Sequence, residues 1–209
     1  MANKKFWLVL LMAILVLGGA FASPTFGLSA GGGVFSDLGM GGGFESQSTE
    51  RVEIYMPGIA GGGFAFFDAT YAELSLGFSG GLGRFLVGDH LERIDFSIMN
   101  LNISLLGKYP FEIGTKWTIF PLLGIDYQLM LSVKGEDEYD VKASDFNALW
   151  FKLGAGFDRS FTEQIYLRFS TLYGIRLPNQ FEKDAVDQLN ANVLLGQGLT
   201  IKLAIGYRF

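Results

Sequence analysis

Residues 199–209 read Leu-Thr-Ile-Lys-Leu-Ala-Ile-Gly-Tyr-Arg-Phe, and this stretch constrains the chain more than any other. Leu199, Ile201, Leu203, Ile205, Tyr207 and Phe209 fall on one parity; Thr200, Lys202, Ala204, Gly206 and Arg208 fall on the other. A strict period of two belongs to a β-strand, whose successive side chains point to opposite faces. One face is apolar and ends in two aromatics, while the other is small or charged. A tilted strand of about 9–11 residues crosses the hydrocarbon core of a bilayer, and this stretch is long enough. The rest of the chain must repeat the pattern or contradict it.

It repeats it, with varying fidelity. Trp117, Ile119, Pro121, Leu123, Ile125, Tyr127, Leu129, Leu131 and Val133 oppose Thr118, Phe120, Leu122, Gly124, Asp126, Gln128, Met130 and Ser132. Ile165 to Leu177 on odd positions oppose Tyr166, Arg168, Ser170, Leu172, Gly174 and Arg176. Leu149, Phe151, Leu153, Ala155 and Phe157 oppose Trp150, Lys152, Gly154, Gly156 and Asp158; Ala72, Leu74, Leu76, Phe78 and Leu82 oppose Glu73, Ser75, Gly77, Ser79 and Gly81. In a further strand Met99, Leu101, Ile103 and Leu105 oppose Asn100, Asn102 and Ser104. There Ile94, Phe96 and Ile98 sit on the other parity, which predicts a bulge near Ile98-Met99. Two glycine-rich strands, about 26–35 and 53–67, complete an even number, giving eight antiparallel strands in an all-β, up-and-down transmembrane barrel.

The connections alternate in length: short at 67–70, 109–116 and 158–163, longer and polar at 36–52, 83–93, 134–145 and 178–191. Barrels of this kind carry short periplasmic turns and longer extracellular loops. Tyr109, Trp117, Phe157, Tyr207 and Phe209 then form an aromatic girdle at the periplasmic end. A soluble, lipocalin-like barrel would need a polar outside. One or two charged residues per strand, among Gly, Ser and Ala, are too few to wet an exterior, so the polar face is the inside.

The N-terminus supplies an address. Lys4-Lys5, an apolar run to Leu17 and Ala20-Phe21-Ala22 read as a cleaved Sec-type signal peptide, residues 1–22, with the barrel domain over 23–209 and a mature N-terminus at Ser23. Processing moves the formal charge from −5 to −7 by removing two lysines. There is no cysteine, which excludes disulfides, thiolate metal sites and a lipid-modified cysteine at the cleavage site. The 16 basic residues form no run beyond the signal and leave no nucleic-acid footprint.

Gly77-Phe78-Ser79-Gly80-Gly81 fits the G-x-S-x-G pattern, but a nucleophile elbow needs a strand-to-helix turn and a histidine base, and Ser79 is in mid-strand. No enzymatic activity and no cofactor are expected. His90, beside Asp89, and the acidic run Glu136, Asp137, Glu138 and Asp140 are solvated loop residues and surface-contact candidates; the run's spacing matches no calcium loop. The glycine triplets at 31–33, 41–43 and 61–63 open no helix and are not phosphate cradles. The inward charges Glu73, Asp126, Lys152, Arg168 and Lys202 must pair, because a narrow interior tolerates charge only when it is compensated. Such a network closes the lumen. Met130, Trp150 and Leu172, also inward, would line an apolar pocket if the lumen were open.

With its signal, its alternation and the aromatic Phe209, the chain resembles the small outer-membrane barrels: the OmpX and opacity-protein type, the transmembrane part of OmpA, and an OmpW-like branch. The resemblance implies localisation in the cell outer membrane and contacts with outer-membrane lipid. It further implies a monomer, without an OmpA-like peptidoglycan-binding domain after Phe209. It also implies an assembly signal at Tyr207 and Phe209 read by the barrel-assembly machinery. For function it implies surface binding, adhesin-like, to a host or envelope ligand through the extracellular loops, with a narrow channel for small hydrophobic compounds as the alternative.

Overall fold

A computed structural model describes residues 27–46, 51–87, 92–135, 142–189 and 191–209. The signal segment, His90 and the acidic run at 136–141 lie outside the described residues. Eight long strands form the wall: β1 (Ser29–Ser46), β2 (Arg51–Asp68), β3 (Ala72–Val87), β4 (Glu92–Lys108), β6 (Trp117–Gly135), β7 (Ala148–Ser160), β8 (Ile165–Arg176) and β9 (Ala191–Arg208). A three-residue β5 (Phe111–Ile113) pairs only with β6, inside the turn between β4 and β6. Each long strand pairs antiparallel with its sequence neighbours, β4 pairs with β6, and β1 pairs with β9. The sheet is therefore closed around the wall, so its membrane-crossing part has no free edge, as lipid requires.

The two faces follow the parities of the sequence. Ile201, Leu203, Ile205 and Tyr207 of β9 are exposed, while Thr200, Lys202, Ala204 and Gly206 are buried. On β6 the outward apolar residues run from Trp117 past Tyr127 to Leu131. At about 3.4 Å per residue and a tilt of about 40°, the stretch from Trp117 to Tyr127 alone spans roughly 26 Å, enough for a barrel's lipid-facing band. Farther up, the outside of β3 and β4 carries an Arg84–Asp95 ion pair at 2.8 Å. The exterior becomes polar there, yet the hydrogen-bond ladder continues.

That continuation explains the main differences from the sequence-derived boundaries. The link expected at 36–52 is almost entirely strand, because β1 reaches Ser46 and β2 begins at Arg51. The link expected at 83–93 shrinks likewise. Above the lipid, inward–outward alternation no longer has to be apolar against polar, so the signal fades before the strand does. In β1 the register shifts between Leu38 and Gly43. Gly41 and Gly43 take φ of 102° and 132°, a conformation that only glycine adopts at little cost.

The bulge expected on β4 is on its partner. The β3–β4 register is unbroken, whereas the β4–β6 register slips between Met99 and Asn100, leaving Leu131 of β6 as the extra residue. Ile98 and Phe96 simply point into the barrel, where both are buried. The slip also moves Val133 from the outward parity to a position opposite Ile98.

One helix, α1 (Gln180–Leu189), stands in the 177–190 connection, where the sequence reading placed only a polar link. Its N-terminus is a capping box: the Glu182 amide donates to the Asn179 side chain at 2.9 Å, and the Asn179 amide donates to the Glu182 carboxylate at 2.9 Å. At the other end of the barrel, Thr70 clamps the segment before β1. Its hydroxyl accepts from the Gly27 amide and donates to the Gly27 carbonyl, both at 2.8 Å.

Candidate functional site: the lumen and its two ends

The inward residues meet across a narrow interior, and the structure brings Glu73, Asp126, Lys152, Arg168 and Lys202 into two linked clusters. In the lower cluster the Arg168 guanidinium forks onto Asp158 at 2.7 and 2.8 Å, and its remaining Nη1 lies 2.6 Å from both Glu73 and Asp68. Lys108 closes the ring on Asp68. In the upper cluster Lys152 donates to Asp126 at 2.6 Å and to Thr200 at 3.0 Å, and Thr200 donates to Asp37. Lys202 stands between the clusters, 4.0 Å from Glu73 and 3.2 Å from the Ser75 hydroxyl. Each of these side chains is nearly inaccessible, so each charge depends on its partners.

Aromatic rings fill the space around the charges. Arg168 lies 4.9, 5.1 and 5.2 Å from the ring centroids of Phe66, Phe120 and Tyr166, and Lys202 lies 5.0 Å from that of Phe64. Small residues on neighbouring strands make room for them. A Cβ on Gly206 would fall 2.2 Å from the Tyr166 ring, its partner in register. Two voids of about 10 Å³ each lie around Lys152, bordered by Asp37, Asn102, Asp126 and Thr200. Each is about the space one water needs.

The three residues of the candidate apolar pocket are not brought together around a common cavity. Trp150 borders one of the small voids and donates its indole N–H to Gln128 at 3.2 Å. Leu172 packs with Leu106, Phe120 and Leu122, and Met130 is buried with its amide bonded to the Asn147 side chain at 2.8 Å.

The ends differ. At the loop end, Glu182 of α1 reaches the last inward residue of β8, and Arg176 grips it through two bonds of 2.9 and 2.6 Å; both side chains are fully buried. At the turn end an open vestibule of about 640 Å³ leads up to Asp68, Lys108, Asp158 and Arg168 and stops there. Around its rim the outward aromatics meet in tilted or edge-on pairs: Tyr71 with Tyr109, Trp117 with Phe157, and Tyr207 with Phe209, with centroids 5.9, 5.6 and 5.7 Å apart.

The network is larger than the sequence pattern predicts. Asp37 and Asp68 fall in stretches that the pattern makes links, Lys108 lies past the expected end of its strand, and Asp158 and Arg176 point inward beyond the five charges expected to pair. Glu182 stands on a helix that the pattern does not predict. The signals existed: Phe35-x-Asp37 and Phe66-x-Asp68 continue the inward parity, and Asn179-x-x-Glu182 is a helix start.

A closed ring of eight antiparallel strands, apolar outside and filled with paired charge inside, defines a small transmembrane β-barrel. Among solved structures, the outer membrane protein OprG from Pseudomonas aeruginosa is similar over 88% of this chain and 96% of its own, with a TM-score of 0.56 and 13% identity. That overlay shows the fold. The N-terminal β-barrel domain of Pseudomonas aeruginosa OprF aligns over 88% of this chain and 100% of its own at 14% identity, but its TM-score of 0.32 is too low to carry an argument. No protein-family model and no curated protein matches the sequence.

Proposed function

We propose that this protein is an outer-membrane barrel with a sealed lumen, working as a structural and interaction protein through the loop-bearing end that it holds out of the membrane. The observation that carries the reading is the lumen itself. From the Arg168 cluster upward, the described interior around Lys152 holds voids of about 10 Å³, and it is crossed by buried ion pairs and topped by the Arg176–Glu182 grip. A conduit for small apolar molecules would need a continuous opening past Trp150 and Leu172, and would have to separate charges whose partners are all inside the protein. Chemistry on a substrate is not part of the proposal: Ser79 is fully buried and its hydroxyl makes no hydrogen bond. The outer-membrane placement rests on the lipid-height apolar band and on the overlay with OprG. The protruding strands β1 to β4 then carry the loop end away from the membrane surface, where partners at the host or envelope surface can reach it.

The test is reconstitution of purified protein in planar bilayers, with binding to host or envelope components measured in parallel. The expected result is no unitary conductance, together with binding that is lost when residues 134–145 are shortened. Discrete conductance steps that change with Trp150→Ala would refute the sealed lumen.

A further inference from the structure

Arg159 is a cation on the wrong face. It lies on the outward parity of β7, one residue before the strand ends at Ser160, with Trp117 of β6 and Leu167 of β8 as its register partners. The other charged strand residues described above have partners: Lys108, Lys152, Arg168, Arg176 and Lys202 meet carboxylates inside, and Arg84 meets Asp95. Among the described residues no carboxylate pairs with Arg159, and its guanidinium makes no hydrogen bond. Two rings hold it instead, with centroids 5.3 Å away for Trp117 and 5.7 Å for Phe161. Trp117 stacks in turn on Phe157, and Phe157 on Phe169 at 5.5 Å.

The depth of this group limits what can neutralise it. A charge on the lipid face is strongly unfavourable at the bilayer midplane and tolerated near the interface. Trp117 begins β6 and belongs to the aromatic rim at the turn end, which lies at headgroup level. There the anions available on the lipid side are phosphates. A planar guanidinium suits a phosphate because it offers paired N–H donors, and the flanking rings fix its orientation without competing for those donors. Exposed Lys116, next in the chain to Trp117, adds positive potential at the same rim. Phe157 and Phe169, deeper in the membrane on the same face, present an apolar surface for the start of an acyl chain.

We propose that Arg159, framed by Trp117 and Phe161, binds the phosphate of a phospholipid in the periplasmic leaflet. The proposal rests on the outer-membrane placement above and on the short turns facing the periplasm; it does not depend on whether the lumen conducts. The experiment uses the full barrel, released in mild detergent, with folding verified by faster gel migration of the unboiled sample. Native mass spectrometry then follows retention of phosphatidylglycerol, with diacylglycerol (the same chains without phosphate) and lipid A as comparison arms. Wild type should retain phosphatidylglycerol and not diacylglycerol. Arg159→Gln should weaken that retention on the order of fivefold, the scale of one cation at an anionic membrane surface, and Arg159→Lys should recover part of it. Equal retention by wild type and Arg159→Gln, or equal retention of diacylglycerol, would overturn the site. Arg159-dependent preference for lipid A would overturn its assignment to the periplasmic leaflet. A chain that never gains the gel shift would refute the barrel placement instead, so the two failures are distinguishable.

Discussion

Replacing Arg168 by Met tests the logic of the lumen most directly. The guanidinium serves three carboxylates, but they do not depend on it equally. Asp68 keeps Lys108, and Glu73 keeps Lys202 at 4.0 Å. Asp158, which takes both fork bonds, makes no hydrogen bond or close ion pair with another cation among the described residues, and Lys108 acts on it only through space. Arg168→Met therefore leaves one buried carboxylate without a bonded cation, and breaking a buried pair from one side costs about 3–5 kcal/mol. The lost contacts with Phe66, Phe120 and Tyr166 are partly replaced by the methionine side chain, so the orphaned Asp158 should dominate. It follows that Asp158→Asn, added to Arg168→Met, should restore most of the loss and bring the double variant within about 2 kcal/mol of wild type, since removing both members of a buried pair is often nearly neutral. Reversible urea unfolding in phospholipid bilayers, followed by the fluorescence of Trp117 and Trp150, measures both variants. A loss below about 1 kcal/mol for Arg168→Met, or a double variant as unstable as the sum of the two single ones, would refute the reasoning.

Other perturbations probe other parts of the molecule. Leu123→Arg places a charge on the lipid face midway along the apolar band, and should destabilise the folded barrel by about 2–4 kcal/mol in the same unfolding assay. Glu182→Gln weakens the grip of Arg176 on α1, so hydrogen exchange should speed up over Gln180–Leu189 while the amides of β8 and β9 keep their protection. Phe209, exposed beside Tyr207 with its amide bonded to the Leu28 carbonyl, should matter more for assembly than for the finished fold: Phe209→Ser should lower the amount of barrel in cell membranes and leave degradation products, seen by immunoblot of membrane and periplasmic fractions. Intact-mass measurement of protein extracted from membranes should give a chain beginning at Ser23.

The sequence by itself determined which face of each strand meets lipid. Leu199 to Phe209, Trp117 to Tyr127 and Ile165 to Ile175 alternate because one side must meet lipid and the other is enclosed in the lumen, and that pressure is local enough to read residue by residue. It also determined that Glu73, Asp126, Lys152, Arg168 and Lys202 point inward. It did not determine who pairs with whom, because partners such as Arg168 and Glu73 are 95 positions apart and meet only through the stagger of a closed sheet. Tertiary structure likewise decided that the slip at Leu131 falls on β6 and not on β4, since one extra residue satisfies the ladder wherever the neighbouring strand can yield. The protruding ends of β1 to β4 and the helix α1 were illegible for a related reason. Above the membrane both sides of the wall see water or each other, no single periodicity is imposed, and hydrogen bonding between strands and the buried Arg176–Glu182 pair fix the shape instead.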